Sequence, residues 1–584
     1  MSNYSQKLKT VSTVLLILAS LVISACSKPH ESEAVEEGVA EPVPAFDVVI
    51  RSGTLYDGSG EAGVIGDLAI DGDRIVAIGD LGEASGKTEI DATGMAVAPG
   101  FINMMSWAPI TLIQDGRGMS DIKQGITLEI FGEGHSMGPV NPAMSDFLLE
   151  QAAAKIGDIP WTTLGEYLQY MEDRGVSPNV ASFIGAATVR INELGNDNVK
   201  PTPEQLERMQ ELVREAMREG ALGVASSLIY TPGTFADTGE LIALSKAAAE
   251  YGGIYASHMR NEADAIFPAL DELITIAREA DIHAEIYHLK LASKDVWGRF
   301  DELVETVETA QASGLRITAD IYTYPAGSTG LDALMPPWAN EGGTEAWMKR
   351  MSDPETRARI RQEMETPSLE WENMYVSTGP ERVLLVGFEN KDLHKYVGKT
   401  LAEIAQERGT HPADTAMDLV FEDNGRSSAV YFSQSEDVVR QASALPWVSF
   451  CTDSEALATE GEFLETSTHP RAYGSFPRLF ARYVREEKML SIEEAVRKAA
   501  ALPAENLSLE GRGRLAEGYF ADVLVFDPAT IQDHATFEQP HQYSTGMLHV
   551  FVNGEQVLKD GEHTGATPGR FVRGPGWQAG GSGG

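Results

Sequence analysis

The chain has 584 residues, of which 43% are hydrophobic and 8% aromatic. That is more than one small domain usually holds, and enough apolar material for a large core. The formal net charge of −41 is spread along the chain, which favours solubility and excludes nucleic acid as an expected partner, because nucleic-acid binding requires a basic surface.

The N-terminus has the pattern of an export signal. Two lysines precede an apolar stretch at residues 11–23, which is too short to span a membrane, and Ile-Ser-Ala-Cys follows. This sequence resembles the lipobox of bacterial lipoproteins, which predicts a signal peptide at 1–25 and lipid on Cys26. Ser27 then favours the outer membrane of the bacterial cell envelope, facing the periplasm. A plain secretory signal with an incidental cysteine is the alternative.

Residues 26–45 are acidic, contain proline and lack large apolar side chains, so they are interpreted as a flexible tether. With Cys26 assigned to lipid, Cys451 is the one cysteine left, and no disulfide within the mature chain is expected. The side chain of Cys451 is interpreted as a small buried hydrophobe.

Both ends of the globular part have the alternating pattern of β-strands. Residues 46–97 contain runs such as FDVVIRSGTLYDG and GDLAIDGDRIVAIG, which predict antiparallel hairpins, and residues 506–573 repeat this pattern with Asn553-Gly554 as a hairpin turn. We expect one small β-sandwich domain built from both chain ends, followed by a disordered tail at 574–584.

Residues 98–505 alternate between apolar runs and helical stretches. One helix is predicted after Thr202, with Thr202 as its cap and Pro203 at its first position. Seven or eight β–α alternations and the absence of a Gly-rich phosphate loop predict an α/β fold of the (β/α)8 TIM-barrel type. An irregular segment near 330–379, rich in Trp, Pro and charge, is interpreted as an insertion over the barrel mouth.

Three candidate site residues follow predicted strands. His258 closes GIYASH, His288 closes AEIYH, and Asp453 follows VSFCT. Polar ligand types at the carboxyl ends of successive strands are what a TIM barrel uses to build its catalytic face. Either histidine alone could be a satisfied core residue, but the two together with the aspartate indicate a metal site.

Several longer stretches resemble the N-acyl-D-amino-acid deacylases (D-aminoacylases) of the amidohydrolase superfamily, from about Phe46 to Arg573. These stretches are MAVAPGFIN, SHMRNEADAI, YHLKLASKDVWG, HPRAYGSFPRLFARYVRE, GYFADVLVFDP and YSTGMLHVFVNGEQV. The resemblance implies a barrel enzyme that hydrolyses N-acyl amides of D-amino acids. It also implies zinc, held by one cysteine and two histidines, with an aspartate as general base.

Carried over to this chain, the metal histidines are His258 and His288, and the general base is Asp453. Neutral imidazoles suit zinc, and a nearby carboxylate can accept a proton from metal-activated water and later return it to the leaving amine.

The same resemblance suggests residues that bind the substrate. Lys290 is expected to contact it, and Arg471 and Tyr230 are expected to hold its carboxylate, since an arginine fork matches a carboxylate bidentately. For each of the three a structural role is the alternative. Arg260 and Glu262 are interpreted as partners of each other.

The chain departs from the family at the first strand, where the superfamily pattern PGFIDxHxH is replaced by PGFINMMSW. Asn103 stands at the aspartate position, and Met105 and Trp107 stand at the two histidine positions. The first-strand metal site is therefore absent, which predicts one zinc ion per chain.

A second departure falls on the cysteine ligand, because Gly134 stands at that position. Glu133 is the favoured replacement, since Glu, His and His form an ordinary ligand set for zinc. His135 is the competing candidate, and a loop role for both is the third possibility.

The sequence thus predicts a metal-dependent hydrolase of N-acyl amino acids, with a small amide as its partner and the membrane contacted only through lipid. A serine hydrolase is disfavoured because no G-x-S-x-G elbow is present. Two alternatives stay open: an inactive surface-anchored binding protein on the same barrel, and an amidohydrolase that acts on another amide, such as a cyclic amide or a dipeptide.

Overall fold

A computed structural model of the protein describes residues 45–578. The predicted signal peptide, Cys26 and the tether up to residue 44 lie outside this part, as do residues 579–584. No helix of the described part is long and apolar enough to cross a membrane.

The strands and helices are numbered in chain order over the described residues. The strands are β1 Phe46–Leu55, β2 Val64–Asp71, β3 Arg74–Gly79, β4 Gly86–Asp91, β5 Ala96–Pro99, β6 Phe101–Asn103, β7 Ile126–Phe131, β8 Asn179–Ser182, β9 Ile184–Gly185, β10 Gly223–Ser227, β11 Ile254–His258, β12 Ala284–Ile286, β13 Ile317–Ile321, β14 Gly327–Gly330, β15 Val383–Gly387, β16 Ser428–Tyr431, β17 Val448–Phe450, β18 Val523–Phe526, β19 Met547–Val552, β20 Glu555–Lys559 and β21 Glu562–His563. The α-helices are α1 Thr111–Gln114, α2 Met119–Ile122, α3 Pro142–Ile156, α4 Leu164–Arg174, α5 Ala186–Leu194, α6 Pro203–Glu219, α7 Thr238–Ala249, α8 Ile266–Ala280, α9 Phe300–Ala312, α10 Gly343–Met351, α11 Pro354–Met364, α12 Met374–Thr378, α13 Leu401–Arg408, α14 Pro412–Glu422, α15 Glu436–Ala444, α16 Arg471–Arg478, α17 Ile492–Val496 and α18 Leu502–Asn506. Short 3₁₀ segments are Gly233–Phe235, Trp297–Arg299, Leu331–Leu334, Pro337–Asn340, Pro380–Arg382, Lys391–Tyr396 and Gly461–Leu464, and π-helical segments are Leu479–Glu486 and Arg497–Ala501.

Both chain ends build one continuous sheet in the order β21-β20-β19-β18-β5-β1-β2-β3, and β4 also pairs with β1. The turn at Asn553 (φ 49°) and Gly554 (φ 81°) joins β19 to β20 as predicted. The expectation of antiparallel hairpins throughout the N-terminal part was wrong, because β4 and β5 run parallel to β1. The long β1 pairs with β2 along one edge and with β4 and then β5 along the other.

A parallel β/α barrel stands between these two ends. Its strands in the described residues are β6, β7, β8 with β9, β10, β11, β12, β13 and β17, and Phe183 separates β8 from β9. Backbone hydrogen bonds from Met104 N to Phe450 O (3.4 Å) and from Asp453 N to Met105 O (3.1 Å) join the last strand to the first. The predicted TIM-type architecture is confirmed.

The helix predicted at Thr202 is α6. The Thr202 hydroxyl accepts a hydrogen bond from Gln205 N (3.2 Å), Thr202 N donates one to Gln205 Oε1 (2.9 Å), and Pro203 is the first residue of the helix.

The insertion is longer than the predicted segment near 330–379. It runs from β14 to the end of β16, residues 327–431, and has its own sheet, β14-β16-β15, and its own apolar core. The prediction stopped short because residues 383–422 follow an apolar strand with helices, the same pattern as a barrel unit.

Part of the C-terminal segment that was predicted to be disordered is packed in the structure. Residues 574–578 lie on the end of α6, where Gly574 N donates to Gly220 O (2.8 Å) and Gln578 N to Arg218 O (3.0 Å). This part of the predicted disordered tail is therefore packed on the barrel.

Candidate active site

The predicted metal histidines and Glu133 meet at the carboxyl end of the barrel. Glu133 follows β7 by two residues, His258 is the last residue of β11, and His288 follows β12 by two residues. All three side chains are buried, and one ligand atom from each lies within 4.8 Å of the others. Among the described residues, no other group of three such side chains has this geometry.

The donor atoms have spacings that suit a small metal ion. Glu133 Oε1 lies 3.0 Å from His258 Nδ1 and 3.6 Å from His288 Nε2. A tetrahedral ion with bonds of about 2.0–2.2 Å separates its ligand atoms by about 3.3–3.6 Å. One carboxylate and two imidazoles match the number of protein ligands in a catalytic zinc site, and of the two separations one lies within the tetrahedral range and the other about 0.3 Å below it.

Glycine explains why Glu133, rather than a residue at position 134, reaches this site. Gly134 has a φ of +67°, and a Cβ built there would lie 2.0 Å from Ser227 Oγ. A cysteine at position 134 would be strained and would collide with Ser227, whereas Glu133 projects into the cluster.

His135, the competing candidate, does not join the two histidines. Its ring stacks on Phe147 with 4.7 Å between ring centroids, and burial lowers its pKa to about 4. Cys451 is buried, as expected.

Asp453 lies beside the cluster but in contact with Arg471. Asp453 Oδ2 accepts a hydrogen bond of 2.5 Å from Arg471 Nη1, and Arg471 Nη2 donates to Ser328 O at 3.3 Å. Asp453 (φ 49°) and His288 (φ 37°) both have left-handed backbones, which non-glycine residues adopt at a cost and which cluster at functional sites.

The pKa values of the site residues reflect two opposing effects, burial and the charges of neighbouring groups. Burial raises the pKa of Glu133, but contacts with His258 and His288 outweigh it and bring that pKa to about 2. Burial and Lys290 lower the pKa of His288, yet Glu262 and Glu133 raise it to about 10. Burial raises the pKa of Asp453 above its usual range despite the opposing charges of Arg471 and His288, which suits a proton acceptor.

Glu262 is a site residue that the sequence interpretation missed. Its predicted partner, Arg260, instead bonds Glu272 (2.8 Å), so the predicted pairing was wrong. The carboxylate of Glu262 is buried against Lys290 Nζ, 2.6 Å away, and against both histidine rings. The signal was present: Glu262 follows His258 by four residues, in the loop that leaves β11.

A cavity of ≈ 900 Å³ connects these groups with the insertion. It is lined by His258, His288, Glu133, Asp453, Lys290, Arg471 and Tyr230, among others, so the predicted catalytic, metal and substrate-binding residues all lie around one space. The ring of Tyr230 meets that of His258 edge-on, with 5.4 Å between centroids.

The insertion supplies Glu372, which the sequence did not single out. The Glu372 carboxylate accepts a hydrogen bond from Glu262 N, and burial together with Glu262 raises its pKa to about 7. No local motif marks this residue, because its position depends on how the insertion folds over the barrel.

The first strand has structural side chains where the superfamily pattern has metal ligands. Asn103 Nδ2 donates to Glu129 Oε2 and to Thr452 Oγ1, each at 2.8 Å, and Asn103 Oδ1 accepts from Thr452 N. Met105 is buried in the barrel, and Trp107 is 38% exposed on the cavity wall. These contacts fix the segment that carries Asp453.

Comparisons with known proteins show which family the chain resembles. Residues 465–558 match the model of the Amidohydrolase family. The D-aminoacylase of Alcaligenes xylosoxydans xylosoxydans is 32% identical over 535 residues, which cover 90% of this chain and 97% of the relative. The structure of N-acyl-D-glutamate deacylase from Bordetella bronchiseptica, complexed with zinc and a phosphonate inhibitor, has a TM-score of 0.76 and 28% identity over 90% of this chain and 99% of its own. A D-aminoacylase structure, described by one-metal activation and second-metal attenuation of a binuclear centre, has a TM-score of 0.75 and 30% identity over 90% and 100% of the two chains.

The barrel, its β domain and the buried donor set define an enzyme of the amidohydrolase class, which acts on carbon–nitrogen bonds other than peptide bonds. Within that class, the chain belongs to the D-aminoacylase family.

Proposed function

We propose that the protein is a single-metal hydrolase of N-acyl-D-amino acids. The observation that carries the proposal is the buried Glu133, His258 and His288 donor set beside Asp453 at the carboxyl end of the barrel. The D-aminoacylase and N-acyl-D-glutamate deacylase relatives support the substrate class, and the zinc bound in the latter supports the metal.

A bound zinc ion supplies a Lewis acid that polarises the amide carbonyl and makes water a better nucleophile. Asp453 accepts the proton of the attacking water and returns it to the departing amine, so one carboxylate acts first as base and then as acid. Arg471 lies on Asp453 and orients it, while Arg471, Tyr230 and Lys290 face the cavity where the substrate carboxylate binds.

One metal ion is sufficient for this mechanism. The first-strand positions hold Asn103, Met105 and Trp107, none of which completes a second site. The D-aminoacylase relative is described by one-metal activation and second-metal attenuation, which supports activity without that second site.

The charges of the cavity select among acyl amino acids. Each lysine and arginine that lines it already contacts a carboxylate, and two of them, Lys290 and Arg471, are assigned to the single carboxylate common to all substrates; Glu462 also lines the wall. A substrate side chain with a second carboxylate would meet like charge, which costs several kcal/mol when water is excluded. We therefore propose substrates whose side chain has no carboxylate. The four pairs are Lys290–Glu262 (2.6 Å), Arg471–Asp453 (2.5 Å), Lys391–Glu465 (3.0 Å) and Arg426–Glu389 (3.0 Å).

The test combines metal analysis with hydrolysis assays. Elemental analysis after zinc reconstitution should give one ion per chain, and N-acetyl-D-leucine should be hydrolysed faster than its L-enantiomer and at least about 10²-fold faster than N-acetyl-D-glutamate. Glu133→Ala should lose the ion and His135→Ala should keep it. Metal without turnover of any acyl amino acid, cyclic amide or dipeptide would support the binding-protein alternative, and turnover of only the latter two would support another amidohydrolase.

A further inference from the structure

Both metal-facing histidines present their second ring nitrogen to the same carboxylate. Glu262 Oε2 lies 3.3 Å from His258 Nε2, and Glu262 Oε1 lies 3.1 Å from His288 Nδ1. Glu262 is only 1% exposed. One side chain thus faces the two ring nitrogens that do not face Glu133, and His258 Nε2 and Glu262 Oε1 are buried with no other hydrogen-bond partner among the described residues.

We infer that Glu262 is a positioning residue that sets the tautomers of His258 and His288 for metal binding. The inference rests on the proposed metal site. A carboxylate can only accept, so it favours a proton on His258 Nε2 and on His288 Nδ1. The lone pairs of His258 Nδ1 and His288 Nε2 then face Glu133 Oε1, and these are the atoms with the spacing that suits zinc.

Lys290 forms a buried ion pair with Glu262. Lys290 Nζ lies 2.6 Å from Glu262 Oε2 and also 2.6 Å from His288 Nδ1. Were Lys290 the donor to His288 Nδ1, a neutral His288 would carry its proton on Nε2, the atom that must face the metal. The carboxylate of Glu262 is therefore the partner that permits binding, and Lys290 balances its charge.

Two hydrogen bonds hold the backbone of Glu262. Glu262 N donates to the Glu372 carboxylate of the insertion, and Ala292 N donates to Glu262 O at 2.7 Å. These bonds fix the loop after β11, so the carboxylate keeps its place between the two rings.

The test is zinc affinity measured by competition with a chelator of known affinity, at one pH. Removing a carboxylate that orients metal histidines weakens binding by about 10–100-fold, and we expect this loss in Glu262→Gln. The absorption spectrum of the Co²⁺-loaded variant should change, because the ligand rings turn. Glu240→Gln, which alters another buried glutamate paired with an arginine (Arg190, 2.7 Å), should leave both readouts unchanged.

Glu262→Gln leaves Lys290 buried without its partner, which could misfold the chain. A second pair of variants therefore separates the loss of orientation from a loss of folding. Lys290→Met with Glu262→Gln should bind zinc about 10–100-fold more weakly than Lys290→Met alone, because neither variant contains a buried lysine without its partner. Equal zinc affinities and cobalt spectra with and without Glu262 would overturn the inference. Absence of zinc binding by the parent chain would instead overturn the proposed function.

Discussion

At the scale of single residues, the proposed proton transfer by Asp453 can be tested with one substitution. Asp453→Asn keeps the shape of the side chain but removes its basicity, so kcat for an N-acyl-D-amino acid should fall by about 10²–10⁴-fold, while one zinc per chain remains. Steady-state kinetics and elemental analysis of the same preparation check both parts.

The control for this substitution is Asp418→Asn, which removes an aspartate paired with Arg357 (2.5 Å) in the insertion. It should leave kcat within about two-fold of the parent. If Asp453→Asn turned over at the parental rate, another group would have to move the proton.

Residue types predicted the site only in part. His258, His288 and Asp453 were identifiable because each directly follows an apolar strand run, and parallel strands bring their carboxyl ends to one face. Glu262 was misassigned to Arg260, because sequence proximity cannot show that Glu272, from α8, reaches Arg260 first.

At the scale of elements, the strands of the barrel bury titratable groups whose state depends on packing. His283 precedes β12, and its Nε2 lies 2.7 Å from Thr318 Oγ1 on β13. Burial, with a smaller contribution from Arg316, lowers the pKa of His283 from 6.5 to about 4. The barrel therefore holds this ring neutral over a range in which an unfolded chain would protonate it.

This difference predicts a loss of stability in acid. As the pH falls below about 6.5, the unfolded state binds a proton on His283, while the folded state does not until about pH 4, so the free energy of unfolding decreases through that window. The decrease from this group is about 3 kcal/mol at most. His283→Gln keeps a nitrogen near Thr318 but cannot titrate.

Urea unfolding midpoints measured from pH 7 to pH 4 check the prediction. The midpoint should fall less steeply in His283→Gln than in the parent. His534→Gln, which alters an exposed histidine bonded to Thr545 in the same way (2.8 Å), should follow the parent curve. Parallel curves for the parent and His283→Gln would contradict the assignment.

At the scale of the whole molecule, we propose that the enzyme is held at the outer membrane through Cys26. Lipid chains on this cysteine, followed by a tether, would anchor the barrel while leaving its mouth in the periplasm. Cys26→Ala expressed in a bacterial host should move from the membrane fraction to a soluble extracytoplasmic fraction, as fractionation and immunoblotting would show.

Cys451→Ala is the matched control, because it removes the other cysteine of the chain. It should stay with the membranes like the parent. Cys26→Ala that sediments with the membranes to the same extent would rule out the lipid anchor.

The amino-acid sequence by itself determined the barrel, the β domain shared by the two chain ends, the two histidines of the candidate metal site and the departure from the superfamily pattern at the first strand. These features depend on local periodicity and on residue type at strand ends, which sequence carries directly. Only the tertiary structure decided that Glu133 rather than His135 joins the histidines, because that choice depends on the collision of a side chain at Gly134 with Ser227. It also decided that Glu262 spans both rings and that Glu372 reaches it from an insertion of residues 327–431. Such contacts join segments far apart in the chain, and a side chain's partner there is set by packing between elements.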